Sequence, residues 1–332
     1  MKTVRVDATN PQAASMAAAA GILRAGGLVA FPTETVYGLG ANALDPVAVG
    51  RIFAAKGRPD YNPLIVHCAT VKAARDLAAV WPPEAERLAA AFWPGPLTLV
   101  LPKRREVPDI VTAGLPTVAL RVPSHPVAHA LLTAASVPVA APSANRSTEL
   151  SPTRAAHVVK RLGDRIDLVL DAGESSVGIE STVIDLSGSE PVLLRPGTID
   201  VVQLEEALGR RLAPPGPRSA ESARPSPGML DRHYAPRARL VQVDTDSLAS
   251  AAGSAKQSGA TVGAMLLTAG SAPGVDHPIR MPPSAAEYAR LLYATLHHLD
   301  DSGCGVVLIE AVPTEPQWAG VRDRLSRASA SG

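Results

Sequence analysis

The sequence predicts a two-domain α/β protein, on three observations. Apolar runs of strand length alternate with stretches of helical period along the first 200 residues. Several of those runs end on a proline that releases a polar loop, as at Phe31-Pro32 and Ala141-Pro142; proline cannot donate to a sheet ladder, so the strand stops there. From Leu212 to Pro236 the chain turns to Pro, Gly, Ser and Arg without periodicity. That change divides a domain over 1–211 from a linker over 212–237 and a second unit over 238–332. A chain of 332 residues, at about 150 per domain, agrees with two cores.

Taken in order, Asn10-Pro11 opens an alanine-rich helix over 12–24, which Gly26 and Gly27 stop, and a buried strand follows over 28–31. Asp45 reads as the cap of a helix with Pro46 in its first turn, running to Ala55, so that Lys56 and Arg58 emerge at its C-terminus. A second buried strand is expected over 64–68, helices over 72–79 and 84–93, and strands over 97–101 and 117–122, the last with Arg121 inside it. A helix over 126–135 and a strand over 137–141 lead to the loop 142–145. Ser151 reads as the N-cap of a helix with Pro152 in its first turn, ending at Leu162, and its N-terminus could receive an anion. Strands over 168–170, 181–186 and 192–195 and a helix over 201–208 close the domain. The second unit reads as βαβαβα, with strands over 239–243, 261–267 and 305–311 and helices over 247–257, 285–299 and 317–325; the tip 326–332 is expected to fray.

Charge and cysteine content narrow the function classes. The net charge is +1; residues 1–200 carry 19 basic and 18 acidic side chains, and the remainder carries 13 of each. That balance argues against a protein that coats nucleic acid and leaves room only for a weak, local RNA contact. Cys68 and Cys304 are too few and too far apart for a thiolate zinc site or a disulfide framework. The N-terminal residues lack the apolar core of a signal peptide, and no apolar run approaches the roughly 20 residues of a membrane span. A soluble protein of the reducing cytoplasm is expected.

Three kinds of group recur at the expected strand ends, which is where an open α/β sheet binds ligands. They are cations (Lys56, Arg58, Arg121, Arg195), small hydroxyls (Thr33, Thr35, Ser143, Ser181, Thr182) and amides or an imidazole (Asn62, Asn145, His67). Several cations with neutral donors and few acids fit an anionic ligand such as a nucleotide triphosphate or a carboxylate. No Walker lysine loop and no G-x-G-x-x-G follows a strand, and Gly38 and Gly40 alone are a weak signal. Each residue also has a plain structural explanation. Lys56 and Arg58 can complement a helix dipole, Arg121 can sit in an ion pair, His67 can be a core histidine, Ser143 and Asn145 can shape a turn, and Ser151 can cap a helix. The joint occurrence is the stronger evidence.

That combination is specific. Lys56-Gly57-Arg58 with Ser143-Ala144-Asn145, together with the stretches 32–39 (PTETVYGL), 92–98 (FWPGPLT) and 178–184 (GIESTVI), closely resembles the YrdC-like threonylcarbamoyl-AMP synthase family. The resemblance is strong over about the first 200 residues. The stretch 226–236 (SPGMLDRHYAP) and, more faintly, 310–313 (EAVP) resemble the longer form of the family, which implies a YrdC-like twisted first domain and a Rossmann-like second one. It further implies an enzyme, a nucleotidyltransferase that condenses L-threonine, bicarbonate and ATP to threonylcarbamoyl-AMP and pyrophosphate, with Mg2+ accompanying the ATP. The product would pass to a tRNA threonylcarbamoyltransferase that modifies the adenosine beside the anticodon in tRNAs reading ANN codons.

By position in the matching motifs, Thr35, His67, Arg121, Ser143 and Ser181 would hold threonine. Arg58, Asn62, Thr117, Ala141, Ser151, Arg195 and Tyr234 would hold ATP. Lys56, Arg58, Ser143 and Asn145 form the catalytic motif of the resemblance, and no protein metal ligand is implied. The chemistry of the side chains agrees: Arg121 can grip a carboxylate bidentately, and the reaction needs charge stabilisation more than a protein nucleophile, with His67 only a weak candidate base. Met229, His233 and Tyr234 in the linker are unusual for a passive tether, and the expectation is a lid that brings Tyr234 to the nucleotide. Two other functions compete: a non-catalytic RNA-binding protein of the same fold, and carbamoyl transfer in hydrogenase maturation, whose larger proteins carry cysteine-rich zinc modules that two cysteines cannot build.

Overall fold

A computed structural model describes residues 1–59, 61–214 and 234–330. Met229 and His233, and with them most of the expected lid, lie outside the described residues. The first domain is built on strands β1 (Lys2–Arg5), β2 (Val29–Phe31), β3 (Gly38–Asn42), β4 (Ile65–His67), β5 (Leu97–Pro102), β6 (Thr117–Arg121), β7 (Val139–Ala140), β8 (Leu168–Asp171), β9 (Thr182–Asp185) and β10 (Val192–Arg195). They form one mixed sheet in the order β1-β8-β2-β3-β7-β4-β6-β5-β9-β10. Leu28, Leu39, Ile52, Val66, Leu99 and Leu120 are among the side chains of one buried layer, and Phe31, Leu131, Val139 and Leu170 belong to a second.

Local chemistry explains most elements. Asp45 caps the helix Pro46–Lys56 by accepting from the amides of Val47 and Ala48, and Gly57 ends it at φ 59°, a left-handed conformation that costs glycine little. Asp200 and Gln203 close a reciprocal capping box on the helix Val201–Leu208. Gly38 and Gly40 belong to β3 and not to a phosphate loop. A Cβ on Gly40 would stand 2.8 Å from the Val139 side chain and 2.9 Å from the Phe31 ring, so the missing side chain lets β2, β3 and β7 pack.

Some expectations fail for physical reasons. The helix expected to start at Ser151 is Ala155–Leu162 with Arg154 at its N-cap, because the Ser151 hydroxyl is spent on Glu180 instead of on helix amides. Strands β1 and β3 escape the sequence pattern, the first as a mostly exposed edge and the second through its glycines. The C-terminal tip does not fray where expected: the last helix, Ala319–Ser329, continues through residues 326–329 because Leu325 and Ala328 are buried under it.

The second unit is a parallel sheet of β11 (Arg239–Val243), β12 (Val262–Leu266), β13 (His277–Arg280) and β14 (Val306–Glu310) in the order β11-β14-β12-β13. β13 is the strand the βαβαβα reading missed, an edge strand carrying Pro278 and no apolar alternation. The C-terminal end of this sheet is closed by its own chain. Glu310 accepts from the backbone amides of Leu267, Thr268 and Ala269 and from the Thr245 and Thr268 hydroxyls.

The two units share a hydrophobic cluster, in which Val36, Leu150 and Ile179 of the first pack with Tyr288, Leu292, Tyr293 and Trp318 of the second. Backbones touch there: a Cβ on Gly178 would lie 2.4 Å from the Arg290 Cα, and one on Gly320 would lie 2.5 Å from the Gly197 carbonyl. Among the described residues no helix is long and apolar enough to cross a membrane.

Candidate active site

One pocket gathers residues from across the large sheet. It is lined by Thr33, Thr35 and Val36 after β2, Gly38 of β3, Arg58 after its helix, Ile65 and His67 of β4, and Arg121 of β6. Ala141, Pro142 and Ser143 after β7, Glu180 and Ser181 before β9, Arg195 at the end of β10, and Tyr234 complete it. Proline-terminated strands explain the convergence, since β2 and β7 both hand their chains to polar loops at the same end of the sheet.

At one side, Arg121 and His67 are register partners on parallel strands. The Arg121 guanidinium donates to Thr35 Oγ1 at 2.9 Å and to the Gly95 carbonyl at 3.2 Å, and it stands 2.7 Å from the Glu34 carboxylate. The structure thus gives Arg121 both of its alternative explanations, a buried ion pair and a place in the pocket wall. Burial alone would raise the Glu34 carboxyl, but Arg121 more than offsets it and the pKa is lowered. Burial, helped by Arg121, pulls the His67 imidazole down to about 3, so His67 is neutral near pH 7 and offers the pocket a hydrogen-bonding nitrogen rather than a charge.

At the other side, the Arg195 guanidinium donates to the Ser181 carbonyl and to Ser181 Oγ, each at 3.1 Å, and Ser181 Oγ also meets Thr98 Oγ1 at 2.8 Å. Arg58 donates to the carbonyls of Asn62 and Pro63, and burial lowers its pKa to about 10. Lys56 does not serve its own helix. Its ammonium, 2% exposed as a residue, reaches over to the carbonyls of Ser143 and Asn145 and so holds the loop that carries both.

Unspent hydrogen-bonding capacity marks the same region. Beside the Glu34–Arg121 ion pair, His67 Nδ1, Asn145 Oδ1 and both side-chain amide atoms of Asn62 are buried without a hydrogen-bond partner. Buried polar groups are nearly always satisfied, so a concentration of unsatisfied ones around a pocket is the mark of a ligand site.

Of the residues assigned from sequence, Thr35, Arg58, His67, Arg121, Ala141, Ser143, Ser181, Arg195 and Tyr234 line this pocket. Lys56 and Asn145 stand behind it, joined through the Lys56 contact. Ser151 is fully buried with its hydroxyl given to Glu180, and Asn62 presents its carbonyl to Arg58. Thr117 starts β6, four residues before Arg121, paired with Pro102, and is not brought to the pocket wall. Sequence reasoning missed Glu34 and Glu180, although each sits inside a quoted motif beside hydroxyl residues. Glu180 lines the pocket and is buried, with burial pushing its carboxyl up and Arg324 and Arg195 pulling it down to about 2.

Residues 21–197 match the Sua5, YciO and YrdC family model, described as telomere recombination, and residues 199–330 match the threonylcarbamoyl-AMP synthase C-terminal domain. A threonylcarbamoyl-AMP synthase of Pyrococcus abyssi is 45% identical over 319 residues, covering 94% of this chain and 93% of its own. One from Bacillus subtilis is 40% identical, covering 99% and 98%. The crystal structure of P. abyssi Sua5 complexed with L-threonine superposes with a TM-score of 0.93 at 42% identity, covering 99% of this chain and 98% of that one. Matched over both of its units and nearly end to end, the chain belongs to the Sua5, YciO and YrdC family, in its two-domain form, and is a nucleotidyltransferase-type enzyme.

Proposed function

We propose that this protein condenses L-threonine, bicarbonate and ATP to threonylcarbamoyl-AMP and pyrophosphate, in the cytoplasm, for transfer by a second enzyme to the adenosine beside the anticodon of tRNAs reading ANN codons. The observation that carries the reading is the separation of two cationic poles within one pocket. Arg121 ends β6 and Arg195 ends β10, with β5 and β9 between them, three strand spacings or about 14 Å at the backbone. Such a site suits two anions at once, a carboxylate at the Arg121 pole and phosphates at the Arg58 and Arg195 pole.

In this reading Arg121 holds the threonine carboxylate while Thr35, His67 and Ser143 orient the amine and hydroxyl; that the P. abyssi Sua5 structure is a complex with L-threonine supports threonine as the ligand. The threonine amine, its ammonium proton released to solvent, adds to the bicarbonate carbon; a C–O bond breaks, hydroxide leaves with a proton from nitrogen as water, and a carbamate remains. A carbamate oxygen then attacks the α-phosphorus of ATP, and the bond to the departing pyrophosphate breaks. Arg58 and Arg195 stabilise the charge on the phosphates, Lys56 fixes the Ser143–Asn145 loop, and positioning with electrostatics supplies the rate.

Magnesium is proposed to arrive with the nucleotide. The two carboxylates at the site are committed, Glu34 to Arg121 and Glu180 to Ser151, Tyr293 and Arg324. Among the described residues no cluster of three or more His, Cys, Asp or Glu could hold a metal. That donor set fits an ion that keeps its waters and binds through phosphates, where it would neutralise phosphoryl charge. Pyrophosphate release that requires both threonine and bicarbonate, with the adenylate identified by mass spectrometry, tests the proposal; release unchanged without threonine would make the protein a plain ATPase.

A further inference from the structure

The C-terminal unit sends one arginine into the wall of the pocket. Arg324 lies on the helix Ala319–Ser329, yet its side chain is 1% exposed. An arginine is almost never buried so deeply unless paired, and this one is committed entirely to the first domain's pocket wall and to its own neighbour Asp323. Nε meets the Glu180 carboxylate at 2.7 Å, Nη2 donates to the Glu180 carbonyl at 3.1 Å, and Nη1 donates to the Pro196 carbonyl at 2.9 Å and to Asp323.

Those two carbonyls flank Ser181 and Arg195, the pair already tied by the Arg195 hydrogen bonds. A planar, five-donor guanidinium can bridge two chains and a carboxylate at once, which no other side chain does. The same group lies over the Tyr234 ring, 5.3 Å from its centroid. Tyr293 stacks obliquely on Tyr234 with centroids 5.8 Å apart and donates its hydroxyl to Glu180 at 3.1 Å. Tyr234 has φ 62°, a left-handed conformation unfavourable for a tyrosine by about 1–2 kcal/mol, so its placement depends on such neighbours.

Docking of the two units does not by itself call for this arrangement. They are also joined by Lys160 with Asp301 and Arg161 with Asp300, ion pairs whose members do not line the pocket. We propose that Arg324, with Tyr293, is a positioning residue for the nucleotide half of the site, holding Arg195 and Tyr234 in place and neutralising the Glu180 carboxylate that would otherwise face the phosphates. The proposal rests on the ATP-binding reading above. It gives the C-terminal unit a definite task, completion of the pocket from behind.

Two of the contributions are separable by charge. With Arg324 replaced by methionine, Glu180 keeps its hydroxyl donors but loses its ion-pair partner, leaving an uncompensated carboxylate in the wall of a polyanion site; with Glu180 also replaced by glutamine, that repulsion is gone. The test is calorimetric titration of ATP and of threonine into the full-length protein, with KM and kcat for each substrate. Arg324→Met is expected to weaken ATP by about tenfold or more while changing threonine little. Arg324→Lys should recover part of the loss, and Arg324→Met with Glu180→Gln should bind ATP more tightly than Arg324→Met alone. A merely structural arginine would weaken ATP and threonine together in Arg324→Met and restore both together in the double variant; that result, or a double variant that binds ATP no better, overturns the proposal.

Lys160→Met, which cuts another contact between the units, should leave the KM for ATP unchanged; an ATP loss as large as that of Arg324→Met would reduce Arg324 to a docking contact. If Arg324→Met fails to fold, Tyr293→Phe decides, with a raised KM for ATP expected and an unchanged one refuting. Wild-type ATP binding without threonine-dependent turnover would sink the proposed reaction and leave the positioning role to be judged by these titrations.

Discussion

The Glu34 carboxylate and the Arg121 guanidinium meet at 2.7 Å with side chains 6% and 4% exposed, and the same guanidinium hydrogen-bonds Thr35 in the pocket wall. Removing one partner of such a pair strands the other charge, at about 3–5 kcal/mol of stability. Arg121→Ala is therefore expected to lower the melting temperature and to weaken threonine by about 2–5 kcal/mol while affecting ATP far less. Arg195→Ala should do the reverse. Titration of both ligands on both variants checks the division, and equal losses in each would show one undivided anion site.

Lys56 holds two carbonyls of the loop that carries Ser143 and Asn145. Lys56→Met leaves both acceptors unpaired in a buried setting, at about 1–3 kcal/mol each. The expected outcome is a less stable protein with turnover down more than about tenfold. Lys56→Arg should not rescue it, because a planar fork cannot replace a compact ammonium in that space. Melting curves and steady-state kinetics on the two variants measure this, and wild-type turnover in Lys56→Met would reduce the lysine to a bystander.

Gly178 has φ 84°, and a Cβ there would press on the backbone of Arg290 and Ala289 in the helix Ala285–Asp301. Backbone cannot swing aside as a flexible side chain would. Gly178→Ala should cost about 1–3 kcal/mol or more and push the second unit off the pocket wall. Gly173→Ala, at a φ of 85° with nothing within 4 Å, is the matched control and should cost only the backbone strain while leaving ATP affinity as it is. Equal melting temperatures for the two variants would contradict the close approach.

His157 and His297 stack across the two units with ring centroids 3.8 Å apart, and His297 Nε2 donates to the Ser151 carbonyl at 3.1 Å. Burial, with each other and with Arg154, Lys160 and Arg161 nearby, pulls the pair down to about 3 and about 4, against Asp300 and Asp301, which pull the other way. An unfolded histidine takes up its proton near pH 6.5, so below about that pH the unfolded state binds more protons and stability falls as pH drops toward the folded values. His67 adds to the same trend. Melting temperature should be level above about pH 7 and decline toward pH 4. His157→Phe keeps a stacked ring, removes one titration and should make the decline shallower; an identical slope would exclude the pair as its source.

The sequence by itself determined the alternation of strands and helices, the helix cap at Asp45, and the strand ends at Phe31 and, to within a residue, Ala141, because turn and cap chemistry acts within a few residues. It also placed most of the pocket, since a hydroxyl or cation directly after a proline-ended strand has to emerge at the sheet's ligand-binding end. Edge strand β1, glycine-rich β3 and β13 left no apolar period to read. Only the tertiary structure decided where Ser151, Glu180 and Arg324 spend their polar atoms. Ser151 reads as a helix cap until Glu180, 29 residues on, takes its hydroxyl, and Arg324 reads as a surface cation until a carboxylate 144 residues away buries it. Charge pairing depends on distance in space, and local sequence carries no record of which buried carboxylate the folded chain will bring to a given arginine.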